Sequence, residues 1–191
     1  MRFAHIAAAL FAILDRKVAS RRAPDFIVGA DSPDGAYLHR WYLIPRNRVL
    51  NIYLHQFLRD DDDRALHDHP WPWCSLLLDG AYFEHTIAAG GIHRRQLRLA
   101  GSLKVSGPRR AHRIELLRWA DPDPYPSDEY ADDDHVAASF SLQPPAPCWT
   151  LFITGPRLRR WGFHCPQAGW VDFARFTKPG STGETGAGCD A

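Results

Sequence analysis

The chain carries no surplus of charge of either sign. Its 23 Lys and Arg offset 22 Asp and Glu, leaving a formal net charge of +1. Such balance gives no electrostatic footprint for nucleic acid or for a strongly acidic partner. Cysteine is scarce. Only Cys74, Cys148, Cys165 and Cys189 occur, and no two stand as CxxC, which argues against a structural zinc site. An even count in a chain this long says little about disulfides, so a reducing cytoplasm is the expected compartment. Long apolar runs are missing as well. "FAHIAAALFAIL" at residues 3–14 is too short to span a bilayer. It meets Asp15-Arg16-Lys17 without a small-x-small cleavage site. It reads as an amphipathic or docking helix over residues 1–22, with a membrane-surface helix as the alternative and no stable membrane span. No internal repeat occurs.

What is present is a strand-rich pattern. With 191 residues, 45% of them hydrophobic, the chain can bury one sizeable core. "YLHRWYLIP" and "RVLNIYLHQFLR" are dense in aromatic and β-branched residues, as strands are. In the second, Asn51, Tyr53, His55 and Phe57 share one face, and Ile52, Leu54, Gln56 and Leu58 the other. Both faces are largely apolar, which predicts a strand buried between two sheets. Residues 73–88 read as two strands joined at Asp79-Gly80. Turns at Gly90-Gly91, Gly101 and Gly107-Pro108 then separate "IHRRQLRLA", "SLKVS" and "AHRIELLRW". Turns at such regular spacing predict an all-β sandwich or barrel. "VAASFSLQ" and "CWTLFITG" supply later strands.

The expected organisation is therefore an N-terminal helix over 1–22 and a barrel domain over 37–176. An acidic, Pro-rich loop at 120–134 interrupts the barrel, and a disordered Gly/Ser/Thr-rich tail follows at 177–191. The acidic run at 60–63 and the basic cluster Arg157, Arg159 and Arg160 read as solvated surface. His85 and His93 sit beside turns and are expected at the surface. His164 either lines the barrel or packs at its aromatic end. Trp71, Trp73, Trp161 and Trp170 read as core or rim packing.

The chemistry concentrates in "RALHDHPWPWC". In extended chain, residues i and i+2 point to one side, so His67 and His69 offer two imidazoles to one point. Neutral imidazole is a good ligand for iron, nickel, copper and zinc. Alone, an HxH is better explained by histidines that cap strands or satisfy loops. His112, opening a later strand after the Gly-Pro-Arg-Arg turn, is the candidate third ligand, expected across the barrel from the pair. Glu84 offers either a fourth ligand or a supporting contact. Pro70 and Pro72 hold the preceding residues extended.

These motifs resemble the cupin superfamily, the RmlC-like jelly-roll barrels. The family's first motif, G-x5-HxH-x3-4-E-x6-G, is met by His67, His69 and Gly80, with Trp73 or Cys74 where the glutamate stands. Its second motif, G-x5-PxG-x2-H-x3-N, is approximated by Gly101, Pro108 and His112, without the asparagine. Loss of that glutamate resembles the thiol dioxygenases, above all cysteine dioxygenase, which holds Fe(II) with three histidines and carries a cysteine at this place. Phrases such as "HDHPW", "HRIEL" and "TGPR" also resemble uncharacterised cupin-like proteins of bacteria and their phages. The resemblance implies an all-β, antiparallel cupin barrel with an N-terminal helix. It implies a mononuclear centre of His67, His69 and His112, with Fe(II) or another divalent transition metal, acting as a thiol-type dioxygenase on a small molecule. It further implies an arginine for a substrate carboxylate, for which Arg59 and Arg64 are candidates. A proton relay is also implied, for which Tyr53 and His55 are candidates. Two other readings stay open: a binding or structural cupin, perhaps a homodimer paired through sheet edges, and a metal-free sugar-nucleotide epimerase or isomerase.

Overall fold

The computed structural model describes residues 2–61, 65–118 and 145–190. The acidic 120–134 segment, "VAASFSLQ" and Arg64 lie outside the described residues. Helix α1 (Arg2–Leu14) runs on into a π-helical stretch, Asp15–Ala19. The strands are β1 (Phe26–Val28), β2 (Leu38–Tyr42), β3 (Asn51–Phe57), β4 (Leu66–His67), β5 (Trp73–Asp79) and β6 (Ala81–Ile87). They continue as β7 (His93–Leu99), β8 (Leu103–Ser106), β9 (Arg113–Leu116), β10 (Cys148–Thr154), β11 (Gly162–Cys165) and β12 (Gly169–Asp172), before the single turn of α2 (Phe173–Phe176).

Among the described residues the strand pairings are antiparallel and fall into three sheets, ordered β1-β2-β3-β10-β5-β8, β12-β11-β4 and β7-β6-β9. The fold is all-β with one N-terminal helix, as the turn spacing implied. Leu38, Phe57 and Leu77 of the large sheet meet Tyr82, Ile114 and Leu116 of the β7-β6-β9 sheet in one apolar cluster. Those two sheets thus pack face to face, which buries alternate residues of each strand. The tight β5–β6 turn depends on Gly80, whose φ of +79° a side chain rarely adopts.

The second face of β3 is buried, but not by a sheet. Leu54 packs with Trp41 and Leu78 under Leu10, Phe11, Leu14 and Val18 of the helical segment. Helix α1 thus covers the outer face of the large sheet, which explains why β3 is apolar on both sides. No helix among the described residues is long and apolar enough to cross a membrane.

Three surface expectations are corrected. Asp60 and Asp61 are not merely solvated: they dock on β9. The Asp60 Oδ1 accepts from the Leu116 N–H at 2.6 Å and Asp61 Oδ2 from the Ile114 N–H at 2.7 Å. The carboxylates thereby satisfy amides that, among the described residues, no strand covers on that side. Arg159 turns inward to the buried Asp68, its Nη1 2.7 Å from Oδ2. His85 is buried rather than exposed, bonded to Glu115 Oε2 at 2.6 Å and to His93 Nε2 at 2.8 Å.

The expected disordered tail is also corrected. Residues 177–190 fold back on the body, and Cys165 of β11 is joined to Cys189 by a disulfide. Neither cysteine count nor local composition could reveal this pairing, because 24 residues separate the two in sequence. Cys74 and Cys148 are free, and burial pushes both thiols above the ordinary range.

Three outcomes test this architecture. Peptide mapping without reductant should recover Cys165 linked to Cys189. In the native protein Cys74 and Cys148 should alkylate slowly, since the thiolate is the reactive form; rapid labelling of Cys148 would contradict its burial. Gly162→Ala should destabilise the fold by about 3 kcal/mol, because an added Cβ would run into the Val171 carbonyl oxygen. Denaturant unfolding measures the loss.

Candidate metal centre

His67 ends β4, and its backbone is tied to His112 by a two-way bridge. The His67 N–H donates to the His112 carbonyl and the His112 N–H returns the bond, both at 2.9 Å. His112 is therefore beside His67, not across the barrel from it. The antiparallel bridge sets the two rings 4.9 Å apart, and His69, two residues on, brings its ring 5.1 Å from His67 and 5.2 Å from His112. One ring nitrogen from each of the three lies within 4.8 Å of the others.

The residue between the two histidines fixes the turn. Asp68 is 1% exposed. Its N–H donates to the Gly162 carbonyl at 3.0 Å, and its Oδ1 accepts from the Gly162 N–H at 2.9 Å. Its Oδ2 receives Trp170 Nε1 at 3.0 Å, together with His164 and Arg159. These bonds hold the Asp68 carboxyl below its ordinary range against the opposing effect of burial. With Asp68 pinned outward on β11, the alternation of extended chain turns His67 and His69 inward. The Gly155 N–H and Leu158 N–H further hold the Pro72 and Pro70 carbonyls at 2.8 and 2.7 Å.

Glu84 stands behind His112 rather than in the cluster. Its Oε1 accepts from His112 Nδ1 at 2.9 Å, while His112 Nε2 faces His69 Nε2 at 3.0 Å. A carboxylate on one ring nitrogen fixes the tautomer and leaves the other nitrogen's lone pair toward the cluster, the usual support for a metal-binding histidine. The expectation of Glu84 as a direct ligand is thus corrected by geometry. Arg98 Nη2, at 2.8 Å, and Lys104 Nζ balance the buried carboxylate. Burial, reinforced by neighbouring cationic groups, pushes both His69 and His112 well below the usual imidazole range. Neutral imidazoles with converging lone pairs fit a divalent transition metal.

Cys74 does not face this site. Trp73 and Ser75 line the cavity in front of the histidines, and Cys74 between them points to the other face of β5. Trp73 instead stacks on His112, with ring centres 5.1 Å apart. The parallel with the cysteine of thiol dioxygenases therefore fails at its key residue.

The cavity in front of the three histidines has a volume of about 850 Å³, within the range of small-molecule sites. Its walls are largely aromatic, Trp71, Trp73, Phe152, Trp161 and Phe163 among them. One side is different. Arg40, His55 and Thr150 stand opposite one another on β2, β3 and β10, and all three line the cavity. Arg40 Nε donates to His55 Nε2 at 2.9 Å, which leaves the His55 proton on Nδ1. Among the described residues, that Nδ1 and the Thr150 Oγ1 are buried without a hydrogen-bond partner. Among the described residues, no carboxylate pairs with Arg40. The row thus presents a guanidinium, an imidazole N–H and a hydroxyl to one space, where an anion would satisfy them.

Tyr53 does not line the cavity. Its ring stacks on His55 at 5.6 Å and lies under the Arg40 guanidinium at 5.1 Å, so it supports the row. Arg59 lines the cavity but bonds the Gly35 carbonyl at 3.2 Å and lies over Tyr37. Arg64 lies outside the described residues. Sequence reasoning missed Arg40 because "LHRWY" has no chemical signal of its own. Only register against His55 and Thr150 discloses it.

No protein-family model and no curated protein matches the chain. Solved structures similar to it include the Clostridium difficile EutQ protein, with a TM-score of 0.43 and 10% identity over 74% of this chain and 85% of that one. A cupin superfamily protein from Desulfitobacterium hafniense gives 0.38 and 9%, over 62% and 77%. An Fe(II)-HppE complex with an alternative substrate gives 0.44 and 12%, over 70% of this chain and 58% of that one. The second of these carries the name of the superfamily that the two histidine motifs resemble; the architecture described above rests on the strand pairings themselves.

Proposed function

We propose that the protein is a mononuclear metal enzyme of the cupin type, acting on an anionic small molecule, with iron(II) as the metal and molecular oxygen as co-substrate. The observation that carries this reading is the convergence of His67, His69 and His112, with Glu84 fixing the tautomer of His112. Iron(II) held by three neutral imidazoles would supply one-electron chemistry with oxygen at positions left open for substrate.

The chain's own residues supply the rest. The Arg40–His55–Thr150 row would hold the anionic group of the substrate by charge-assisted bonds and so fix its distance from the histidines. The walls formed by Trp71, Trp73, Phe152 and Trp161 would exclude water and hold an apolar body. Since Cys74 faces away, nothing in its placement favours a thiol substrate over other anions. The reading therefore keeps the oxygenase and leaves the thiol as one test substrate among several.

Metal analysis of protein loaded anaerobically with Fe(II) should give about one metal per chain. His67→Ala and His112→Ala should lose it while keeping the β-sheet circular dichroism. Full occupancy in either variant would overturn the ligand set. Glu84→Gln should still bind, about 10–100-fold more weakly; an unchanged affinity would remove Glu84 from the site. Oxygen uptake with a panel of thiols and carboxylates separates an oxygenase from a binding cupin.

A further inference from the structure

The cavity has one wall that belongs to none of the three sheets. Ser181, Thr182, Gly183, Glu184 and Thr185 line it, opposite Ser32, Pro33 and Asp34 of the β1–β2 loop. These two segments form the rim, where lining residues such as Asp34 and Thr185 are also exposed. The strap that carries residues 181–185 leaves the body at Thr177, pairs with itself through the Thr177–Thr185 bridge, and ends at Cys189.

Two of the strap's hydrogen bonds across the rim are long. The Gly29 N–H reaches the Thr182 carbonyl at 3.3 Å, the Ala30 N–H reaches Thr182 Oγ1 at 3.0 Å, and the Asp31 N–H reaches Glu184 Oε1 at 3.4 Å. The two longer bonds, at an exposed rim, hold weakly. The covalent tie is different. Cys165 lies on β11, the strand paired with β4 through Phe163 and His67. The disulfide therefore fastens the far end of the strap to the sheet that carries the first histidine of the cluster. The strap is also tied to the body by the Gly186 N–H on the Phe176 carbonyl at 2.9 Å and by Cys189 packing in the cluster of Val171 and Phe176, so cutting its one covalent anchor makes it a local unit of lower stability than the sheets.

We infer that the 177–190 strap is a redox-controlled gate over the cavity, closed by the Cys165–Cys189 disulfide and opened by its reduction. In the opening step a dithiol reductant gives two electrons and two protons. The bond between the two cysteine sulfurs breaks, Cys165 and Cys189 become thiols, and the reductant becomes a disulfide. The strap then swings from the β1–β2 loop and exposes the aromatic walls. The inference takes from the proposed function only that the cavity receives a ligand, and it does not depend on the metal.

The test compares the oxidised full-length protein, the same protein reduced with dithiothreitol, and Cys189→Ser. Hydrogen exchange is followed across the chain, and entry of the anionic dye 1-anilinonaphthalene-8-sulfonate is followed by stopped-flow fluorescence. The expected result is faster exchange confined to residues 177–190 on reduction, with β3 and β10 unchanged, and dye entry accelerated about tenfold or more. Cys189→Ser should match the reduced protein without reductant. Three results would overturn the gate: exchange in the strap unchanged by reduction; exchange rising throughout the sheets, which makes the disulfide a staple of the whole domain; or a loosened strap with dye entry unaltered. Should Cys189→Ser fail to fold, the reduced wild-type protein decides between these. Loss of metal binding in all three samples would count against the proposed function and leave the gate standing.

Discussion

The two backbone hydrogen bonds between His67 and His112 are the constraint on which the site depends. They fix, through main chain alone, which two side chains of distant segments stand side by side. Everything nearby serves that bridge. Asp60 and Asp61 cap the amides of β9, the strand that follows His112. Asp68 locks the turn between His67 and His69 onto Gly162. Glu84, from the neighbouring strand β6, holds the His112 ring from behind. Buried carboxylates are costly unless paired, and each of these has found amide, imidazole or cationic partners. Rigidity of the cluster follows from that satisfaction, and preorganised ligands are what a metal site requires.

Chemistry and shape divide the cavity between them. Three imidazoles lie at one place, a guanidinium–imidazole–hydroxyl row at another, and aromatic walls fill the rest. The row and the cluster are carried by different sheets, so their separation is set by how the sheets pack. Leu38, Phe57 and Leu77 against Tyr82, Ile114 and Leu116 form that packing. Helix α1 bears on the opposite face of the large sheet, where Leu54 and Trp41 meet Leu10 and Phe11. The apolar core thereby serves the chemistry, holding two polar clusters at a fixed distance across one cavity.

Much of this was legible in the sequence, and the failures share a cause. Alternation in "LHDH" places His67 and His69 on one side without any tertiary knowledge, and the glycine turns mark the strands on either side of β6. What local pattern cannot give is register between distant strands. His112 is recognisable as a partner, yet its position beside His67 follows from a bridge between segments about forty residues apart. The choice between Trp73 and Cys74 as the cavity-facing residue is a shift of one position, and it reverses the comparison with thiol dioxygenases. Arg40 gains meaning only opposite His55 and Thr150. The tail reads as disordered by composition, because a disulfide across 24 residues leaves no local trace.

The central claim is that three imidazoles of one chain bind one metal ion. X-ray absorption on the purified protein loaded with a single equivalent of Fe(II) under anaerobic conditions tests it most directly. The account expects a nitrogen/oxygen shell with the outer-shell scattering of three imidazole rings, and the loss of one ring's contribution in His69→Ala. A spectrum indistinguishable from hydrated Fe(II), or imidazole scattering unaltered by that substitution, would contradict it.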